Sequence, residues 1–213
     1  MSTINDHLIV RDLGLSDYEP TLEKMISFSQ QRDENTADEI WLLEHPPVYT
    51  LGKNSKAHHV LNPGDIPIIQ IDRGGQVTYH GPGQLVAYLL IDVRRKNVGV
   101  RRIVTAMENA IIQVLAGLGV DAKALGDAPG VYVNDAKIAA LGLRIKNGKS
   151  YHGLSFNIDM NLAPFQGINP CGYEGLEITQ LSDIVSEYSV ADIKKSLIEY
   201  FKHALSYKYI AMQ

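Results

Sequence analysis

The sequence predicts an α+β protein built on a mixed, largely antiparallel sheet with packed helices. Strand-like runs follow one another through short hairpin-like links instead of alternating with helices, which argues against a doubly wound parallel sheet. Helical periodicity is confined to three segments. With 213 residues and 45% hydrophobic content the chain can bury one core, so a single domain over 1–213 is expected.

The strand-like runs, rich in β-branched and aromatic residues, lie at 8–10, 40–44, 48–51, 66–72, 85–93, 131–133, 137–145 and 151–160. Gly, Pro, Asn or Asp separates most of them. Helices are expected at 18–31, 100–118 and 190–205. In the second, Ile103, Met107, Ala110, Ile111, Val114 and Leu118 recur at three- and four-residue steps, and Gly119 stands where a C-terminal stop belongs. In the third, Ser189 and Asp192 form a capping pattern ahead of an apolar stripe through Ile193, Leu197 and Phe201.

The formal net charge of −4 gives no general attraction to nucleic acid. No window approaches the ~20 apolar residues of a membrane span, and the start MSTINDHLIV lacks the basic and apolar regions of a signal peptide. A single cysteine cannot form an internal disulfide, which favours a reducing compartment. The expectation is a cytoplasmic protein with no nucleic-acid or membrane partner. The one basic run, RRKNVGVRR at 94–102, reads either as a solvated loop entering a helix or as a docking patch for an acidic partner.

The most unusual segment is RGGQVTYHGPGQ at 73–84. Its glycines alone fit two turns of a meander. Turns do not, however, require Arg73, Thr78 and His80 within eight residues. Glycine lets a ligand approach the backbone, so N–H groups beside Arg73 and His80 could hold the carbonyl oxygen of an amide or thioester. The segment lacks GK[ST] and GxGxxG, so no phosphate-binding motif is present.

Cys171, in the run INPCGYEG, lies between Pro170 and Gly172 and so on a loop, where a thiol is either a small packing residue or a nucleophile. A nucleophilic thiol must lose its proton, and a free cysteine with a pKa of about 8.5 is mostly protonated at neutral pH. Lys137 is the candidate helper. If 131–133 and 137 onward form a hairpin around Asn134 and Asp135, alternation puts Lys137 on the apolar face of Ala139, Leu141, Leu143 and Ile145. Alternatively it is a strand-end lysine that snorkels to water. His152 alternates with Leu154, Phe156 and Ile158 and is expected inside as a hydrogen-bonded histidine. His45, His58, His59 and His80 show no metal-ligand spacing.

Three blocks, RGGQVTYHGPGQLVAY at 73–88, DAPGVYVNDAKIAALGLRI at 127–145, and YHGLSFNIDMNL through INPCGYEG at 151–175, closely resemble the octanoyl-[acyl-carrier-protein]:protein N-octanoyltransferases, also called lipoate-protein ligase B. The likeness covers about 8–179 and leaves 180–213 as a C-terminal helical segment. It implies the catalytic-domain fold shared with biotin and lipoate protein ligases. It also implies two protein substrates: octanoyl-acyl carrier protein, and the lipoyl domains of 2-oxoacid dehydrogenases and of the glycine cleavage H protein. By the same resemblance Cys171 is the acyl-thioester nucleophile and Lys137 the lysine that promotes its ionisation. Arg73, Gly74, Gly75, Gln76, Val77, Thr78, Tyr79, His80, Ala140, Leu141, Gly142, Gly153, Leu154 and Ser155 form the implied substrate-binding segments. Backbone N–H groups near Gly142 or Gly153 are expected at the oxyanion. No cofactor or metal is implied, because amide formation from a thioester is downhill without ATP, and a monomer is expected. The competing reading is an ATP-dependent lipoate or biotin ligase, which would have no use for Cys171.

Overall fold

The computed structural model describes residues 4–126 and 128–213; residues 1–3, the start of the expected domain, and Asp127, the first residue of the second block, lie outside the described residues. In chain order the elements are β1 (His7–Leu15), α1 (Tyr18–Gln31), β2 (Asp38–Glu44), β3 (Val48–Leu51), β4 (Ile68–Gln70), β5 (Val77–His80), β6 (Gln84–Leu90), α2 (Val100–Gly117), β7 (Lys123–Ala124), β8 (Val131–Val133), β9 (Ala136–Lys146), β10 (Lys149–Asn157), α3 (Val190–Ala204) and β11 (Tyr209–Met212).

The main sheet runs β11-β1-β2-β6-β10-β9-β8-β7. Its pairs are antiparallel except where β1 lies parallel to β2 and to β11. The middle of the sheet is buried on both faces. Leu85, Ala87 and Leu89 of β6 join the cluster under α2 and α3, whereas Val86, Tyr88 and Leu90 meet Met25 of α1 and Trp41 of β2. A strand covered on both sides reads as a continuous apolar run, as QLVAYLL does.

The helices follow the local signals. Ile103, Met107, Ala110, Ile111 and Val114 are buried on one face of α2, and Gly119 beyond its end takes φ 77°, a left-handed value that glycine adopts freely. At α3 the Ser189 hydroxyl accepts from the Asp192 N–H at 3.2 Å. Among the described residues no helix is long and apolar enough to cross a membrane.

Three features depart from the sequence reading. Residues 77–80 are strand, not loop: β5 pairs antiparallel with β3 in a second sheet, β4-β3-β5, with Thr50 opposite Thr78. Its glycine flanks hid a strand that forms only through a distant partner. The C-terminal β11 is likewise held by a long-range parallel partner. The basic run, finally, is a turn that enters α2, as one of its two readings had it, but its cations are pinned and not simply solvated. Arg95 bonds Asp38 and the Thr36 carbonyl, Lys96 lies 3.8 Å over the Tyr207 ring, and Arg102 bonds the Ala204 carbonyl. Those cations are committed to the fold.

Candidate active site

Cys171 sits half-buried on the short helical turn Pro170–Gly172, with φ 56°. Proline pre-sets the first position and Gly172 takes φ 78° without strain. A Cβ at Gly172 would lie 2.2 Å from the Gln76 amide, so Gln76 packs directly on the turn. Backbone bonds hold the turn: Asn169 N–H donates to the His59 carbonyl at 2.8 Å, Gly172 N–H to Asn169 at 2.9 Å, and Tyr173 N–H to Pro170 at 3.1 Å. The left-handed φ of Cys171 costs about 1–2 kcal/mol in a non-glycine residue, and backbone strain of this kind concentrates at functional sites.

The sulfur meets Lys137, whose Nζ donates to Cys171 Sγ at 3.0 Å and to the Pro129 carbonyl at 3.1 Å. Lys137 is 3% exposed and its ammonium stands 5.2 Å from the Tyr132 ring centroid. Its backbone is clamped on the strand edge, with N–H to the Glu177 carbonyl at 2.8 Å and C=O from the Thr179 N–H at 3.0 Å. Burial pulls the Lys137 pKa down, but the charge and hydrogen bond of Cys171, helped by Tyr132, overcome it and leave it above the ordinary lysine value. The pair is a buried ammonium in hydrogen-bond contact with a sulfur.

The expected hairpin at Asn134 and Asp135 forms, both residues taking positive φ. The face expected for Lys137 does not hold. Val131 pairs with Ala139 but Tyr132 pairs with Lys137, so Ile138 is an extra residue and alternation breaks there. Ala139 turns into the α2 core with Val131, and Lys137 points with Tyr132 to the opposite, cavity side. Nor does the lysine snorkel to water.

Cys171 and Lys137 open on a cavity of about 430 Å3. Arg73, Gly74, Gly75, Gln76, Val77, Thr78, His80, Ala140, Leu141, Gly142, Gly153, Leu154 and Ser155 line it. Tyr79 does not: it alternates away and packs on Tyr49 and Phe165. Reading the sequence missed Tyr18 and Tyr88, and also Val100, Val104 and Met107, a three- and four-residue stripe on α2 that faces the cavity beside the core stripe.

Arg73 is 7% exposed and anchors its loop through Nη2 to the Thr50 carbonyl and hydroxyl at 2.9 and 2.8 Å. His80 Nδ1 lies 2.7 Å from Gln84 Oε1, an acceptor, so Nδ1 carries the proton and Nε2 faces the Thr50 hydroxyl at 3.4 Å. His45 is arranged alike, with Nδ1 donating to the Ser16 carbonyl at 2.6 Å and Nε2 2.7 Å from the Tyr88 hydroxyl. Burial is the main cause that pushes His80 down to about 3 and His45 down to about 4, so both rings are neutral. His152 is buried as expected, but φ 61° turns its ring away from Leu154 and Phe156, against Tyr88 and Tyr151 and 3.4 Å from Asp72.

Comparison with known proteins decides the family. The model of the lipoyl protein ligase A/B catalytic domain matches residues 17–202. The chain is 59% identical over 188 residues to an octanoyltransferase of Pseudomonas entomophila, covering 88% of this chain and 87% of that one. It is 54% identical over 212 residues to the octanoyltransferase of Hahella chejuensis, covering 100% and 95%. The chain belongs to the octanoyltransferase family. Membership makes it an acyltransferase. Solved structures share the fold of this octanoyltransferase-family chain at low identity. Lipoate-protein ligase A bound with ATP has a TM-score of 0.75 at 15% identity, covering 97% of this chain and 88% of that one. Biotin protein ligase of Aquifex aeolicus has a TM-score of 0.57 at 9% identity, covering 94% and 70%.

Proposed function

We propose that the chain, working as one cytoplasmic, monomeric catalytic unit, transfers an octanoyl group from octanoyl-acyl carrier protein to the lysine of lipoyl domains, including the glycine cleavage H protein, through a thioester on Cys171. The contact of Lys137 Nζ with Cys171 Sγ at 3.0 Å, at the wall of the cavity, carries this reading.

The Cys171 thiolate attacks the carbonyl carbon of the donor thioester, and the carbonyl π pair moves to oxygen. Collapse restores C=O and breaks the bond to the carrier sulfur, which leaves with the Lys137 proton as a thiol. The acceptor lysine, as a neutral amine, then attacks the Cys171 thioester and passes its proton to Lys137. Cys171 departs as thiolate and the ion pair is restored. Lys137 thus gives one proton and regains one in each cycle. Every methylene buried in the cavity adds about 0.8 kcal/mol, so the six methylenes and the terminal methyl of an octanoyl chain supply on the order of 5–6 kcal/mol of binding.

A ligase that activates a free acid with ATP shares the fold, but those likenesses stand at 15% identity or less and speak to fold alone. Intact-mass spectrometry after mixing with octanoyl-carrier is the test. Wild type should gain an octanoyl adduct, Cys171→Ser none, and Lys137→Ala a much slower one. A wild-type chain that stays unmodified with the carrier and acts only with octanoate and ATP would defeat the reading.

A further inference from the structure

A tetrahedral intermediate on Cys171 needs hydrogen-bond donors, and the backbone beside the sulfur has few to offer. The N–H groups of Gly172 and Tyr173 are already bonded within the turn. Gly142 and Gly153 lie directly opposite each other in the β9–β10 ladder. The Leu143 carbonyl points out of that ladder to the Gly74 N–H at 2.9 Å, so alternation turns the Gly142 N–H inward, to β10. The backbone groups anticipated for the oxyanion are therefore spent in the sheet.

Two side chains are placed differently. Thr78 on β5 is 8% exposed and Ser155 on β10 is 4% exposed; neither hydroxyl bonds another of the described residues, and neither is sealed off, so both are free to meet a ligand in the cavity. Thr50, directly opposite Thr78, differs: its hydroxyl is engaged by Arg73 and His80. Both unbonded hydroxyls border the large cavity, and both also border a small space of about 10 Å3 behind the reactive pair, sharing its wall with Lys137, Ala140 and Cys171. They flank the sulfur from two strands of different sheets.

We propose that the Thr78 and Ser155 hydroxyls donate the hydrogen bonds that hold the acyl oxygen as Cys171 is acylated and deacylated. The inference rests on the acyl-transfer reading above. When the thiolate adds to the carbonyl carbon, the new C–S bond forms and the π pair settles on oxygen, to which both O–H groups donate. When C=O reforms, the bonds weaken and the carrier thiol leaves with the Lys137 proton. Neither hydroxyl gives up a proton; each acts only by donation, in a water-poor site where such donors act most strongly.

The test measures two reactions at one pH: acylation of Cys171 by an octanoyl thioester, read by quenched intact mass, and alkylation of Cys171 by iodoacetamide, which makes no oxyanion. Thr78→Val and Ser155→Ala should each slow acylation by on the order of 10²-fold, with alkylation unchanged. Together they should slow it by less than the product, and Thr78→Ser should restore it to within a few fold. Acylation at the wild-type rate in the double variant overturns the inference, and so does alkylation that slows in step with acylation, since the hydroxyls would then only hold the Cys171–Lys137 pair. A wild-type chain that is alkylated but never acylated would sink the acyl-transfer reading instead.

Discussion

Acid should destabilise this fold through two imidazoles that burial keeps neutral. His45 is pushed from an ordinary value of 6.5 to about 4, and His80 from 6.5 to about 3. Both folded values lie below the unfolded one. The unfolded chain therefore binds protons that the folded chain refuses, and stability is lost as pH falls through 6.5 toward those folded values. Once the unfolded rings are charged, two protons give a slope of about 2.7 kcal/mol per pH unit. Integrated from pH 7 to pH 5, the loss is about 3.5–4 kcal/mol, a large share of the 5–15 kcal/mol that holds a typical domain together. His152, lowered first by burial, acts in the same direction. Urea melts followed by circular dichroism at pH 7, 6 and 5 would show the midpoint falling by about 1–2 M over that span. His80→Gln removes one of the two protons, so its slope should drop to about 1.4 kcal/mol per unit whatever its absolute stability. A midpoint that stays level or climbs on acidification would mean that the rings are charged in the fold, and the tautomers drawn from Gln84 and Ser16 would be wrong.

Three further outcomes follow from the site. Lys137→Met keeps the length but not the charge, and Cys171 should react with iodoacetamide at pH 7 far more slowly, while octanoyl transfer falls by about 10²–10⁴-fold. Gly130→Ala sets a Cβ 2.8 Å from Lys137 Cε at φ 149°; a urea titration should read a loss of about 1–3 kcal/mol, with transfer reduced because the ammonium is displaced. Cys171→Gly relieves the left-handed strain at φ 56° but leaves the buried Lys137 ammonium without its sulfur partner, so calorimetry should show Tm falling by about 2–4 °C for each kcal/mol lost, in a protein that transfers nothing.

What could be read from the sequence was local. The capping pair Ser189 and Asp192, the apolar stripe of α2, the Asn134–Asp135 hairpin and the turn around Cys171 each depend on neighbours within a few residues, and all are present. What escaped was set at long range. Four residues, VTYH, become a strand only because β3 offers a partner. No pattern in KIAALGLRI announces that Ile138 is the extra residue of a bulge, yet that one residue decides which side of the sheet Lys137 faces. His152 fits its strand alternation on paper, and only its positive φ redirects the ring. The family resemblance puts Tyr79 among the binding residues with the rest of its segment, whereas strand alternation turns its ring onto Tyr49 and Phe165.

These displacements share an electrostatic consequence. Lys137 and Arg73 are 3% and 7% exposed, and among the described residues neither forms an ion pair with a carboxylate. Cys171 is the main cause that leaves the Lys137 pKa raised, whereas burial lowers that of Arg73 against the smaller opposing effects of Tyr18 and Cys171. Two buried cations that line one cavity without a carboxylate partner leave an excess of positive potential in a low-dielectric pocket, which is unfavourable for the resting protein. The same excess becomes favourable when the thiolate's charge moves onto a carbonyl oxygen, because a fixed cation need not reorganise to meet it. Lys137 can shed its proton to the departing thiol; Arg73, with a guanidinium that stays charged even when burial lowers its pKa, cannot. One cation is therefore mobile and one permanent, and the permanent one is tied by Thr50 to the same pair of strands that presents Thr78 to the reacting carbon.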